Sequence, residues 1–185
     1  MLAYVFWHWR RPEVAADEYE RLQRDFHAAL GEAPPPGFAR SYSHALTGAA
    51  WANDCGEAYE DWYLVEGSAA LDPLNEAAVT ASRRRPHDAA AAVAANGTAG
   101  LYRLRLGEAP MSPRFAAWFA KPAGISYDDA WRLLGPLTEA GGVGVWVRQM
   151  VLGPSPEFCV QADRPVALPD AIRPLVLPLR PVWPG

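Results

Sequence analysis

The chain has 185 residues, half of them hydrophobic and 21% charged, with a net charge of −4 and a pI near 5.6. That length suits one domain or two small ones, and that balance of apolar and charged residues excludes a disordered chain. No apolar run approaches the roughly 20 residues that cross a bilayer, and no basic stripe marks a nucleic-acid footprint, the densest basic cluster being Arg83, Arg84 and Arg85.

Residues 2–10 are dominated by aromatic and β-branched types in alternation and predict a strand that Pro12 ends. The start carries no basic leader and no small-residue cleavage site, which reads as a protein without a signal peptide. From residue 14 the period changes. Ala15, Tyr19, Leu22, Phe26 and Leu30 recur at three and four and mark one helix face. Asp17 and Glu18 sit at its start, where the helix dipole favours acids, and the run APPPG at 33–37 stops it.

Residues 38–46 predict a second strand and 58–66 a third, joined by the turn-rich segment 47–57. Asp72 and Pro73 read as N-cap and first residue of a helix. The arginine triplet reads as a solvated loop. A short helix follows over 87–95, with Asn96-Gly97 as its C-terminal stop. Residues 99–106 predict a fourth strand. The order is β-α-β-β-α-β, the ferredoxin-like arrangement.

After the linker 107–113 the pattern begins again. Residues 114–122 predict a strand, 126–140 a helix capped by Ser126, and 142–152 a strand whose valines at 143, 145, 147 and 151 share one face. Strand 157–162, a stunted helix at 168–175 and a proline-bearing edge strand at 176–183 complete the chain. WHWRRP near the start and AWFAKP at 117–122 are the best anchors of the repeat. The expected organisation is therefore a first ferredoxin-like repeat over 1–106 and a second, shorter one over 114–185. The fold class is α+β, with two antiparallel sheets packed face to face as a barrel and the helices outside.

This element order resembles the dimeric α+β barrel superfamily, in a single-chain version with both halves fused. That superfamily includes antibiotic-biosynthesis-type monooxygenases, EthD-like proteins, stress-responsive barrel proteins and enzymes that use or degrade haem. The resemblance implies a small-molecule ligand and chemistry of the monooxygenase or proton-transfer kind on an aromatic or polyketide-like molecule. Fusion of the halves leaves both monomer and homodimer open, with Trp183 in the tail free to dock on this chain or another.

Alternation sorts the strand faces. In the first strand Ala3, Val5, Trp7 and Trp9 oppose Tyr4, Phe6, His8 and Arg10; in the third, Tyr59, Asp61 and Tyr63 oppose Glu60, Trp62 and Leu64. Helices want aliphatic bulk, so Val5, Trp7, Leu64, Val145 and Val147 are assigned to them. By elimination the barrel interior receives His8, His44 and Asp61 as catalytic candidates, and Phe6, Arg10, Tyr42, Tyr63, Trp146 and Arg148 as ligand-binding ones. A histidine near neutral pKa can act as acid or base, an aspartate can orient it, and an arginine can neutralise an enolate. The competing reading is that each histidine is a satisfied core group and Asp61 the partner of a buried arginine, in a filled, non-catalytic barrel. His27 lies beside the helix stripe and can reach a pocket or an interface, while His87 reads as an exposed helix start.

No metal-ligand spacing occurs, and no Rossmann, P-loop or nucleophile-elbow motif. No cofactor is expected. Haem is the minor alternative, with His8, His27 or His44 as axial ligand. Cys55 and Cys159 read as two reduced thiols of a cytoplasmic protein, a bridge between them remaining open.

Overall fold

The computed structural model describes residues 1–150 and 152–185, with the backbone alone at Cys55. The elements run β1 (Leu2–Arg10), α1 (Ala16–Glu32), β2 (Phe38–Thr47), β3 (Glu57–Val65), α2 (Leu71–Ala78), α3 (Ala81–Val93), β4 (Ala94–Gly107), β5 (Phe115–Phe119), α4 (Tyr127–Leu134), β6 (Val143–Arg148), β7 (Phe158–Ala162), β8 (Leu175–Pro178) and β9 (Arg180–Trp183). Two sequence expectations, the place of Val151 on the β6 valine face and the pairing of Cys55, lie outside the described residues.

Among the described residues the strands form one antiparallel sheet in the order β8-β5-β7-β6-β4-β1-β3-β2-β9. The quartets β4-β1-β3-β2 and β8-β5-β7-β6 follow the same ferredoxin-like order, joined where β4 pairs with β6. The result is a nearly closed barrel with helices outside it.

The last strand behaves differently from a simple edge. Only Leu179 separates β8, which pairs with β5, from β9, which pairs with β2. One extended segment therefore lies on both open edges of the sheet, and the Leu179 N–H donates to the Arg114 carbonyl at 2.8 Å. Pro178 and Pro181 are tolerated because each falls at the end of a sheet, where a missing N–H costs little. The expected helix at 168–175 does not form. Pro169 and Pro174 bracket it too closely for more than one turn, and Ile172 instead plugs the apolar layer beneath α4.

Alternation sends one face of every strand inward. Trp7, Trp51, Trp62, Trp118 and Trp146 meet there, with Tyr42 and Tyr102, drawn from both halves of the sheet. Trp118 stands within 5.2–6.1 Å, ring to ring, of Trp7, Trp51 and Trp62. Facing sheets are about 10 Å apart, and indole rings from both sides fill that gap. The assignment of Val5, Trp7 and Leu64 to the helices is thus corrected, because all three belong to this interior. In β6 the valines face α4 and Trp146 faces inward.

Three local corrections bear on the site. α3 begins upstream of the expected point and contains the arginine triplet and Pro86. Arg83 is pinned there, donating to the carbonyls of Ala33 and Ala77, and so ties the end of α1 to α2. α2 starts at Leu71 after a single turn, which puts Asp72 inside the helix rather than at its cap. Asn96-Gly97 belongs to β4, opposite Trp9 and His8, and does not stop a helix. Gly97 is required by a close approach: a Cβ there would lie 2.5 Å from the Phe6 ring and 2.9 Å from the Trp7 carbonyl. Ser126 caps α4 as expected, in a reciprocal capping box with Asp129.

Candidate active site

α1 crosses the outer face of β1 and β3. Its buried stripe is Tyr19, Gln23, Phe26, His27 and Leu30, at the spacing of one helix face. Two of these five are polar, so the strands beneath must answer with polar groups. They do so with His8 from β1, Ser41 from β2 and Asp61 and Tyr63 from β3. Phe6, His8, Asp61 and Tyr63 therefore point away from the barrel interior and towards the helices, the reverse of the sequence expectation. Aliphatic demand by helices holds for α4 but not for α1, whose stripe is aromatic and polar.

Asp61 is the hub. Tyr63 donates its hydroxyl to Asp61 Oδ2 at 2.9 Å. His8 Nε2 lies 3.2 Å and His27 Nε2 3.3 Å from the same oxygen, contacts of ion-pair length that lie off the line of a good hydrogen bond. The far nitrogens are also engaged. His8 Nδ1 is 2.6 Å from the Tyr19 hydroxyl and His27 Nδ1 2.7 Å from Ser41 Oγ. Burial alone would raise the Asp61 pKa, but the two imidazoles outweigh it and hold the carboxyl well below the usual range. Burial and the Asp61 charge push the Tyr63 and Tyr19 hydroxyls up, so both stay protonated.

Each imidazole is also held between rings. His8 stacks on Phe6 at 5.0 Å and Tyr59 at 5.7 Å; His27 stacks on Tyr63 at 5.3 Å and Trp183 at 6.4 Å. The tail tryptophan thus docks on its own chain.

Above this floor, between the sheet and α1, α2 and α3, lies a cavity of about 610 Å³. Its walls are largely apolar, from Tyr4, Phe6, Phe26, Leu74, Ala90 and Leu101. His8, Asp61 and Tyr63 reach it from the sheet, Tyr19 from α1, and Asp72, Asn75 and His87 from α2 and α3.

The other candidates lie apart from this cavity. Tyr42 and His44 are in the barrel interior, with the Tyr42 hydroxyl on Gln161 Oε1 at 2.8 Å. Burial drives the His44 pKa down to about 4, so it is neutral there. Trp146 is packed among the other indoles. Arg10 faces outward beyond the cavity, donating to Glu57 Oε2 at 3.1 Å and the Val14 carbonyl at 2.8 Å. Arg148 donates to the carbonyls of Gly153 and Ser155 and shapes the β6–β7 connection. The arginine partner expected for Asp61 is replaced by two histidines and a tyrosine. Tyr19 and Gln23 carry no motif; their signal is the intrusion of polar atoms into the helix stripe.

No protein-family model matches the sequence, and no curated protein matches it. Solved structures do. A proposed monooxygenase from Fusobacterium nucleatum subsp. nucleatum superposes with a TM-score of 0.64 at 8% identity, over 98% of this chain and 92% of that one. A proposed monooxygenase from Lactobacillus acidophilus gives 0.56 at 8% identity, over 98% and 94%. A proposed chlorite dismutase gives 0.51 at 11% identity, over 97% and 94%. These likenesses show the fold, a nearly closed antiparallel α+β barrel. In this α+β barrel five tryptophans cluster in the interior, and a cavity lies between sheet and helices.

Proposed function

We propose that the protein is a small-molecule enzyme whose site is the cavity beneath α1, carrying out monooxygenase-like or proton-transfer chemistry without a bound cofactor on a largely apolar aromatic ligand. The observation that carries this reading is the floor of that cavity. Tyr19, His8 and Asp61 form a hydroxyl–imidazole–carboxylate series in a site walled by apolar side chains. The arrangement resembles the relays that serve acyl-transfer enzymes, with a phenol in the first place. A ligand proton passes to the Tyr19 oxygen as Tyr19 passes its own to His8 Nδ1, and Asp61 stabilises the imidazolium that results. Tyr19 is a conduit rather than a standing base, because burial keeps its pKa high. His27 and Tyr63 fix the carboxylate.

The tryptophan-lined interior supports the rival reading only for the barrel itself, where no catalytic role is proposed. Haem does not fit these residues. The Nδ1 atoms of His8 and His27 contact hydroxyls and their Nε2 atoms face the Asp61 carboxylate, while His44 is buried beside the Tyr42 ring. The likeness to proposed monooxygenases supports the fold assignment and agrees with the reaction class.

Oxygen uptake by the purified protein with a panel of hydroxylated polycyclic aromatics tests the reading, with His8→Gln and Tyr19→Phe run in parallel. Uptake that disappears in both variants while melting temperatures stay within a few degrees is the expected result. Undiminished turnover in Tyr19→Phe would remove the relay from the mechanism.

A further inference from the structure

Two features of the cavity are not used by the relay. Asp61 Oδ1 is buried and has no hydrogen-bond partner among the described residues, although Oδ2 of the same carboxylate has three close neighbours. A buried acceptor left unpaired is costly, and Asp61 lines the cavity, so a donor seated there would satisfy it. The second feature is the sign of the lining. Asp61 at the floor and Asp72 at the rim are carboxylates, and no lysine or arginine is among the lining residues.

The hydrogen-bond pattern sharpens this. Tyr19 can give its proton to His8 Nδ1, and Ser41 its proton to His27 Nδ1. Both imidazole Nε2 atoms face Asp61, whose carboxyl is held below its usual range, so a carboxylate charge stands at the cavity floor. Around it stand the rings of Tyr4, Phe6, Phe26 and Tyr63, whose faces attract cations. Among the described residues no group of three metal-ligating side chains is arranged to hold a metal ion, so the free oxygen is not accounted for by a metal.

We infer that the cavity selects an arylalkyl amine, its ammonium nitrogen donating to Asp61 Oδ1 and its rings lying against Phe6, Phe26 and Leu101, and that it rejects carboxylates and phosphates. This rests on the cavity being the ligand site. Asp72 at the rim adds a second attraction for the same charge. A carboxylate of the same shape would face two like charges and no compensating cation, a repulsion in a water-poor space.

The test is calorimetric titration of the intact protein with three probes of matched shape: naphthyl-ethylamine, naphthyl-ethanol and naphthyl-propanoate. The amine is expected to bind at least about tenfold more tightly than the alcohol, with the propanoate weakest. Asp61→Asn is expected to abolish the preference for the amine, whose affinity falls to about that of the alcohol. Because that variant disturbs a buried network, Asp72→Asn at the rim is the companion, expected to reduce the preference about two- to threefold without affecting the alcohol. Equal binding of amine and alcohol, or stronger binding of the propanoate, would overturn the charge selectivity and leave the ligand site standing. Failure of all three probes to bind would overturn both.

Discussion

Glu60 and Asp61 are neighbours in β3 that serve opposite sides of one sheet. Glu60 lies among the barrel tryptophans, accepting from Trp7 Nε1 at 3.2 Å and Trp62 Nε1 at 3.1 Å, while Asp61 lies under α1 between two histidines. Both are fully buried carboxylates, yet their titrations run in opposite directions. Burial raises the Glu60 pKa from 4.5 to about 7, the indole hydrogen bonds opposing it only in part. The histidines hold Asp61 down.

The two residues therefore affect stability with opposite sign. Between pH 4.5 and about 7 the folded protein keeps the Glu60 proton that the unfolded chain has lost. Stability from this group is present below that window and falls as pH rises through it, by about 3 kcal/mol in all. Asp61 contributes above its unfolded value of 3.8, and its contribution is lost as pH falls through the lower folded value. His44, across the ladder from Glu60, is pushed down to about 4 from 6.5 and opposes Glu60 in an overlapping window. The readout is thus the difference between wild type and Glu60→Gln in urea unfolding. That difference is expected to fall by about 3 kcal/mol from pH 4 to pH 8. A difference independent of pH would show that Glu60 titrates normally.

Trp118 comes from the second half of the chain and packs on Trp7, Trp51 and Trp62 from the first. Trp118→Ala should cost about 3–5 kcal/mol in chemical denaturation, the usual range for a large aromatic removed from a packed core. A cost below about 1 kcal/mol would mean that the interior collapses around the gap and that the two halves are not locked through it.

Much of this was legible in the sequence, and the errors have one cause. Alternation in β1 and β3 gave the two faces correctly, but which face is inner depends on what covers the other. The rule that helices want aliphatic partners succeeds for α4, which meets Val145 and Phe158. It fails for α1, because Gln23 and His27 complete its stripe and demand Asp61 and Ser41 beneath them. The Asn96-Gly97 pair misled for a related reason. Its glycine answers a steric demand from Phe6 on the neighbouring strand, and no local pattern encodes that contact. The double-edge role of 175–183 was likewise hidden, since its two partners, β5 and β2, are remote in sequence.

Gly97→Ala is the sharpest local test of that contact. The added methyl would strike the Phe6 ring, and Phe6 is also a cavity wall. A loss of about 1–3 kcal/mol in stability is expected, together with weakened binding of any aromatic cavity ligand. Unchanged stability would place the two side chains further apart than the structure does.

Removal of residues 175–185 would strip β8 and β9 from two edges at once and take Trp183 from His27. Exposed edges of β5 and β2 are expected to pair between molecules, giving concentration-dependent association in analytical ultracentrifugation. A truncated chain that stays monomeric and as stable as the parent would deny the closing role of this segment. Trp183→Ala alone should leave association unchanged and loosen only His27.

The central claim is that ligands enter beneath α1 and not into the barrel. Chemical-shift mapping with naphthol tests it most directly, because a neutral probe does not depend on the charge selectivity. Methyl resonances of Leu74 and Leu101, in the cavity wall, are expected to shift with saturation, while the indole N–H signals of Trp7, Trp62, Trp118 and Trp146 stay in place. Shifts confined to those indoles, with the leucine methyls unmoved, would contradict the account.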